Sequence, residues 1–124
     1  MPAKVADASV IGAIVFGEPA AVEALTLLGE DDVYVPTLLA YELASIARTK
    51  IVRQPNEREL ILQALEIGLA MSIRWVDVDQ PAVVELALAM ALSTYDASYL
   101  YLAHALSASL VTFDQKLRAA ASAT

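Results

Sequence analysis

Cysteine is absent from the 124 residues, and no long uncharged segment is present. The first absence excludes disulfides and thiolate metal sites, and it is compatible with a reducing cytoplasm. The longest stretch without Asp, Glu, Lys or Arg, 97–113, contains a histidine and three serines. It is shorter than the roughly 20 apolar residues that a membrane span needs. Asp7 interrupts the first apolar run, which argues against a secretory signal. We therefore expect a soluble, cytoplasmic protein.

Positive charge is also scarce. Eight Lys and Arg residues stand against 15 Asp and Glu residues, which gives a formal net charge of −7. Nucleic-acid-binding proteins usually carry a basic patch, so the net charge alone argues against RNA binding. Apolar residues, in contrast, make up 58% of the chain, above the roughly 45–50% of ordinary soluble domains. This excess, with Leu38, Leu39 and Tyr41 as examples, predicts a homodimer and a groove for a partner helix.

Short strands alternate with helices along the whole chain, which predicts a single domain, 1–124. The predicted strands are 3–6, 33–35, 74–78 and 110–112. The predicted helices are 8–16, 20–28, 37–53, 57–72, 79–92 and 95–108, followed by a last helix that Asp114 caps. Such alternation is typical of an α/β fold, with an open parallel sheet of about four strands and helices on both faces. The tail, 119–124, has no strand character.

Four acidic residues fall where such a sheet places its functional crevice, beyond the carboxyl ends of the strands. Asp7 and Asp114 follow strands, and Glu42 lies near the start of the helix after the second strand. Asp96 begins the helix before the fourth strand, and the pattern leaves its position open. Asp is a preferred helix N-cap, which is the simpler explanation for each aspartate alone. Capping does not explain why Glu42 and Asp96 stand in apolar segments, where a hard cation would be a natural partner.

The same residues carry a resemblance to a known family. The segments are Val-Ala-Asp7-Ala-Ser, Pro36 with Glu42 six residues later, Tyr-Asp96-Ala-Ser-Tyr-Leu-Tyr-Leu-Ala, and Leu-Val-Thr112-Phe-Asp114. In this order they resemble the PIN-domain family, and most of all the VapC-type toxins of prokaryotic toxin–antitoxin pairs. The resemblance covers nearly the whole chain. It departs from the family pattern in the missing fifth strand and in the acidic charge balance.

The resemblance implies an endoribonuclease that depends on Mg²⁺ or Mn²⁺ and is paired with an antitoxin protein. It implies that Asp7, Glu42, Asp96 and Asp114 are the catalytic and metal-binding residues, with Ser9 and Thr112 as hydrogen-bonding residues behind them. RNA contacts are assigned to five basic residues that follow the acids along two helices: Arg48, Lys50, Arg53, Lys116 and Arg118. Solvated helix ends explain these five equally well.

The aromatic residues are expected to pack in the core or an interface, and the single histidine is expected to be packed or half-exposed. His104 lies eight residues past Asp96, about 80° round a helix, which does not favour a shared site. Tyr95, Tyr99 and Tyr101 are able to stack on bases, but core or interface packing is the preferred interpretation. Two alternatives to the nuclease remain: a non-catalytic PIN-like binding module, and another Mg²⁺ enzyme on a doubly wound sheet. The latter has little support, because no glycine-rich phosphate loop is visible.

Overall fold

The computed structural model describes residues 2–124 and contains one four-stranded sheet in which every pairing is parallel. The strand order is β3-β2-β1-β4. The strands are β1 (Ala3–Ala6), β2 (Asp32–Pro36), β3 (Arg74–Val76) and β4 (Ser109–Val111). The helices are α1 (Ala8–Val15), α2 (Ala21–Leu28), α3 (Leu38–Arg53), α4 (Arg58–Leu69), α5 (Gln80–Met90), α6 (Thr94–Leu106) and α7 (Gln115–Ala123). The predicted α/β fold with about four parallel strands is confirmed.

Alternating side chains on the strands build two cores, one on each face of the sheet. Val5 belongs to the core beneath α5, α6 and α7, and its neighbour Ala6 belongs to the core beneath α1, α2 and α3. Tyr34 and Val35 divide between the two cores in the same way. Successive strand side chains point to opposite faces. Helices therefore cover both faces of the sheet, and their packing holds the strands and the strands' carboxyl ends in place.

Several element ends differ from the sequence-based prediction. A short 3-10 turn, Pro55–Glu57, precedes α4, and α4 ends at Leu69 rather than near residue 72. Helix α6 stops at Leu106, because Ser107 adopts a left-handed conformation with φ 51° and caps its carboxyl end. The tail predicted to lack strand character is helical as far as Ala123. Within residues 2–124 no fifth strand follows β4.

Close packing of helices supports the β1–β2 side of the sheet. Gly68 of α4 lies against Val15 of α1, and a Cβ at Gly68 would come within 2.7 Å of the Val15 side chain. Leu39 and Leu43 of α3 are fully buried in the same layer. Leu39 is thus a core residue, and the prediction that it remains available for an interface is wrong. In residues 2–124 no helix combines the length and the apolar character that crossing a membrane requires.

Candidate active site

Asp7 follows β1 directly and is fixed by hydrogen bonds to both carboxylate oxygens. Its Oδ1 accepts from the Ser9 backbone N at 3.1 Å, the Ser9 Oγ at 2.6 Å and the Val10 backbone N at 3.3 Å. Its Oδ2 accepts from the Thr112 hydroxyl at 2.5 Å. Asp7 is therefore the N-cap of α1, as its position predicts. The side chain is nevertheless buried, with 6% exposed, which is unusual for a carboxylate that only caps a helix.

Ser9 and Thr112 link the ends of β1 and β4. Thr112 lies directly past β4, and its hydroxyl also accepts from the Asp114 backbone N at 3.0 Å. The Ser9 Oγ accepts from the Phe113 backbone N at 3.0 Å. Because β1 and β4 are parallel neighbours, both segments leave the sheet at the same edge. Both hydroxyls donate to Asp7 and accept from a backbone N–H, so they connect the Asp7 carboxylate to the backbone that follows β4.

Glu42 reaches the same edge from the first turns of α3. Its Oε1 accepts from the hydroxyl of Tyr99 on α6 at 2.5 Å. Tyr99 itself is almost completely buried, with 1% exposed. Burial raises the pKa of Glu42, and the hydrogen bond from Tyr99 offsets part of this rise. The neighbouring carboxylates Asp7 and Asp96 raise it further.

Asp96 lies at the site without any local hydrogen bond to hold it. Helix α6 ends two residues before β4 begins, so it starts at the carboxyl edge of the sheet. The cap of this helix is Ser93, whose Oγ accepts from the Asp96 backbone N at 3.1 Å. The interpretation of Asp96 as the N-cap is thus wrong. Among residues 2–124, no donor is hydrogen-bonded to its carboxylate oxygens, which leaves them available to a ligand.

Electrostatic coupling joins the four acids. Burial raises the pKa of Asp96 above its usual range, and the charges of Asp114 and Asp7 add to the effect. Lys116 acts in the opposite direction. Asp114 is the N-cap of α7, with its Oδ1 accepting from the Leu117 backbone N at 2.8 Å. The structure therefore brings the four predicted acids together, with the charges of Asp7 and Asp114 close enough to act on Glu42 or Asp96.

The carboxylate oxygens of the four acids are suitable ligands for a hard cation, although the acids do not converge on a single ion position. Carboxylate oxygens are the ligands that Mg²⁺ and Mn²⁺ prefer, and a cation would relieve the repulsion that raises the two pKa values. Among residues 2–124, no three Asp, Glu or His side chains are arranged so that they could hold an ion together.

Comparison with known proteins agrees with this geometry. The model of the PIN domain family matches residues 4–123, almost the full chain. The chain belongs to the PIN domain family. The crystal structure of PAE2754 from Pyrobaculum aerophilum is similar, with a TM-score of 0.78 and 23% sequence identity. The match covers 96% of this chain and 79% of that one, and at this identity it supports the fold. No curated protein matches the chain.

PIN domains are in general nucleases, and a nuclease must hold a polyanion beside these acids. The five predicted basic residues differ in position. Lys116 is close enough to Asp96 to lower its pKa, and Arg118 donates to the Thr112 backbone O at 2.8 Å. Lys50 is instead paired with Glu18 and lies 5.8 Å from the centre of the Phe16 ring. Arg48 and Arg53 are exposed on α3. Of the five, Lys116 is thus linked to Asp96 and Arg118 to the segment that holds Thr112.

Tyr99 is the residue of this PIN domain site that the sequence reasoning missed. It was assigned to packing, and it does pack, yet its hydroxyl also holds Glu42. The available signal was its spacing, three residues after Asp96 on one helix, which places both side chains on one face. His104 lies at the other end of α6, where its Nε2 is 2.8 Å from the Thr124 Oγ1. The expectation that it takes no part in the acidic site agrees with this position.

Proposed function

We propose that the chain is a metal-dependent endoribonuclease and the toxin of a type II toxin–antitoxin pair. The observation that supports this most is the cluster of four carboxylates at the carboxyl edge, with the pKa values of Glu42 and Asp96 raised. In this proposal Asp7, Glu42, Asp96 and Asp114 hold Mg²⁺ or Mn²⁺. When bound, such an ion lowers the pKa of a coordinated water and stabilises negative charge on the phosphate.

The remaining roles in this proposed reaction belong to side chains of the protein. Asp7 keeps its position because four donors fix it, and Ser9 and Thr112 maintain that arrangement. Glu42, held by Tyr99, orients the attacking water and accepts its proton as the water oxygen bonds to phosphorus. The P–O bond on the opposite side breaks in line, and the leaving oxygen takes a proton from solvent. Lys116 and Arg118, which lie beside the acids, offset the charge of the RNA backbone locally despite the net charge of −7.

A cognate antitoxin and a homodimer complete the proposal. Large apolar side chains remain exposed on several helices, including Val22, Leu25, Ile67 and Leu88. Such surfaces are typical of protein–protein contacts. We expect the purified chain to sediment as a dimer, and a monodisperse monomer at tens of micromolar would contradict that part of the proposal.

The decisive experiment is RNA cleavage by the purified chain. We expect cleavage with Mg²⁺ or Mn²⁺, inhibition by EDTA, and its loss in Asp7→Asn and Asp96→Asn while the circular dichroism spectrum is unchanged. Asp79→Asn is the matched control for Asp7→Asn, because Asp79 caps α5 as Asp7 caps α1, and its charge is not among those that act on Glu42 or Asp96. Undiminished cleavage by either site variant would refute the site assignment.

A second candidate is a non-catalytic PIN domain that serves as a binding module. The absence of a converged set of three metal-binding side chains in residues 2–124, together with the acidic net charge, favours it. It predicts that no RNA is cleaved with any divalent metal, and that the Asp7→Asn and Asp96→Asn variants differ from wild type in no activity assay. The same cleavage experiment therefore separates the two candidates.

A further inference from the structure

A small cavity adjoins the acidic cluster and shares one of its carboxylates. Its volume is about 340 Å³, and it is lined by Leu38, Tyr41, Glu42, Ser45 and Tyr95. Four of these residues lie on α3 with the spacing i, i+3, i+4 and i+7, which forms one continuous stripe along a helix. Tyr95 comes from α6 and is the direct neighbour of Asp96 in the sequence. The cavity thus lies between the helices that supply Glu42 and Asp96.

The two tyrosines of this cavity are exposed to an unusual degree. Tyr41 is 77% exposed and Tyr95 is 61% exposed, whereas Tyr99 of the same site is 1% exposed. Leaving a large aromatic ring in water gives up the free energy that its burial would provide. Neither ring contributes to the two cores. The expectation that Tyr95 packs in the core is therefore wrong, whereas packing in an interface stays a prediction.

The chemistry of the lining favours one part of a nucleotide. No Lys, Arg or His lines the cavity, and Glu42 contributes a negative charge, so a phosphate would be repelled. Aromatic faces attract the flat, uncharged π-surface of a nucleobase, and they do so without regard to sequence. The hydroxyls of Ser45, Tyr41 and Tyr95 are able to hydrogen-bond to base edges.

We infer that this cavity, the Tyr41–Tyr95 cavity, binds a nucleobase of the substrate strand next to the phosphate that is cleaved. The inference rests on the proposed nuclease function and assigns Tyr41 and Tyr95 to the binding of an unstacked base. A base within a duplex is stacked and paired, and it would have to be extruded before it could enter. The protein should therefore act on single strands, loops or bulges.

The test compares a short single-stranded RNA with an RNA of equal length that carries abasic sites at the central positions. Binding is measured by fluorescence anisotropy with the full chain, with Ca²⁺ replacing Mn²⁺ to offset the charge of the acids. Wild type should bind the base-bearing strand about tenfold or more tightly, since stacking contributes about 1–3 kcal/mol per base. It should also prefer the single strand to a blunt duplex of the same sequence.

Variants locate the effect. Tyr41→Ala and Tyr95→Ala should lose most of the preference for the base-bearing strand, whereas Tyr41→Phe and Tyr95→Phe should keep it because the ring remains. Leu60→Ala is the matched control: Leu60 is 65% exposed, close to the 61% of Tyr95, but lies on α4 outside the cavity. It should bind both strands as wild type does.

Three results would overturn the inference: equal binding of both strands by wild type, no binding of either, or an unchanged preference in both alanine variants. If the alanine variants change the sedimentation coefficient but not RNA affinity, the cavity is a contact between proteins and the inference is wrong. If the base preference is present but no metal supports cleavage, the base site stands and the proposed activity fails. The two failures are thus distinguishable.

Discussion

Asp7 and Asp96 belong to one acidic cluster, but the fold holds them in opposite ways. Asp7 accepts four hydrogen bonds, caps α1 and connects β1 to β4 through Thr112. Asp96 accepts none from residues 2–124, and Ser93 caps its helix instead. The hydrogen bonds of Asp7 stabilise the fold, whereas burial, Asp114 and Asp7 disfavour the charge of Asp96 by more than Lys116 favours it. A carboxylate that destabilises the fold and has no structural task is the stronger functional marker of the two.

The largest expected effect is a difference in stability between Asp7→Ala and Asp96→Ala. Asp7→Ala should lower the free energy of unfolding by about 2–4 kcal/mol, because it removes a cap and leaves the buried Thr112 hydroxyl without its acceptor. Asp96→Ala should change it by about 0.5 kcal/mol or less, or raise it, since only electrostatic repulsion is removed. Urea unfolding in EDTA at neutral pH measures both values.

A control variant measures how much of the effect of Asp7→Ala comes from helix capping. Asp79→Ala removes an exposed cap of α5 with a single hydrogen bond at 3.3 Å, and it should cost about 1 kcal/mol. It therefore measures what capping alone contributes. If Asp96→Ala destabilised the protein as much as Asp7→Ala, Asp96 would have a structural role and the contrast between the two acids would disappear.

The next effect concerns Glu42. Among the described residues it accepts one hydrogen bond, from Tyr99, and is therefore intermediate between Asp7, which accepts four, and Asp96, which accepts none. Tyr99→Phe keeps the buried ring and removes only the hydroxyl that donates to Glu42. We expect Mn²⁺ affinity to fall about 10–100-fold, as is usual when a residue that orients a metal ligand loses its hydrogen bond. Stability should fall by only about 0.5–1.5 kcal/mol. Isothermal titration calorimetry with Mn²⁺ measures the affinity.

Tyr101→Phe provides the control for this variant. Tyr101 lies two residues further along α6, is partly buried, and makes no hydrogen bond through its hydroxyl to residues 2–124. Removing the Tyr101 hydroxyl should leave the affinity for Mn²⁺ unchanged. Equal affinities of wild type and Tyr99→Phe would show that Tyr99 serves packing alone, as its sequence context first indicated.

Much of the fold was predictable because the strands are short, apolar and separated by clear breakers. Asp7 directly after β1 and Pro36 at the end of β2 marked two carboxyl ends correctly. The helix ends were less predictable, because Ser93 and Ser107 end α6 through side-chain capping and a left-handed residue rather than through proline or glycine. Both Asp and Ser are good caps, and only the backbone geometry distinguishes them.

The grouping of the four acids was partly predictable, but the hydrogen bonds around them were not. Parallel topology alone placed Asp7 and Asp114 at one edge, whereas the position of Asp96 required the direction in which α6 crosses the sheet. The bonds from Tyr99 to Glu42 and from Thr112 to Asp7 span 57 and 105 residues in sequence. Neither leaves a local pattern. The difference in exposure between Tyr95 and Tyr99 was also not predictable from sequence, because both lie in the same apolar helix.

The smallest expected effect is the pH dependence of the difference in stability between wild type and Asp96→Asn without metal. The pKa of Asp96 in the folded protein is raised from 3.8, so the native state keeps a proton that the unfolded chain has released. This contribution favours folding at low pH and is lost as the pH rises through the raised pKa. Wild type should thus become less stable relative to Asp96→Asn between about pH 4 and pH 8.

Adding Mn²⁺ at pH 7.5 should reverse the order of the two proteins. A ligand that binds only the folded state stabilises it by about 2.7 kcal/mol when present at one hundred times its Kd. Wild type gains this because its deprotonated acids repel one another until a cation binds, whereas Asp96→Asn has lost a ligand and should gain much less. The caps are the same in both proteins, because Ser93 rather than Asp96 caps α6. The contrary result is a difference in melting temperature between wild type and Asp96→Asn that depends on neither pH nor Mn²⁺. Asp96 would then be an ordinary surface carboxylate, and its contrast with Asp7 would reflect structural roles only.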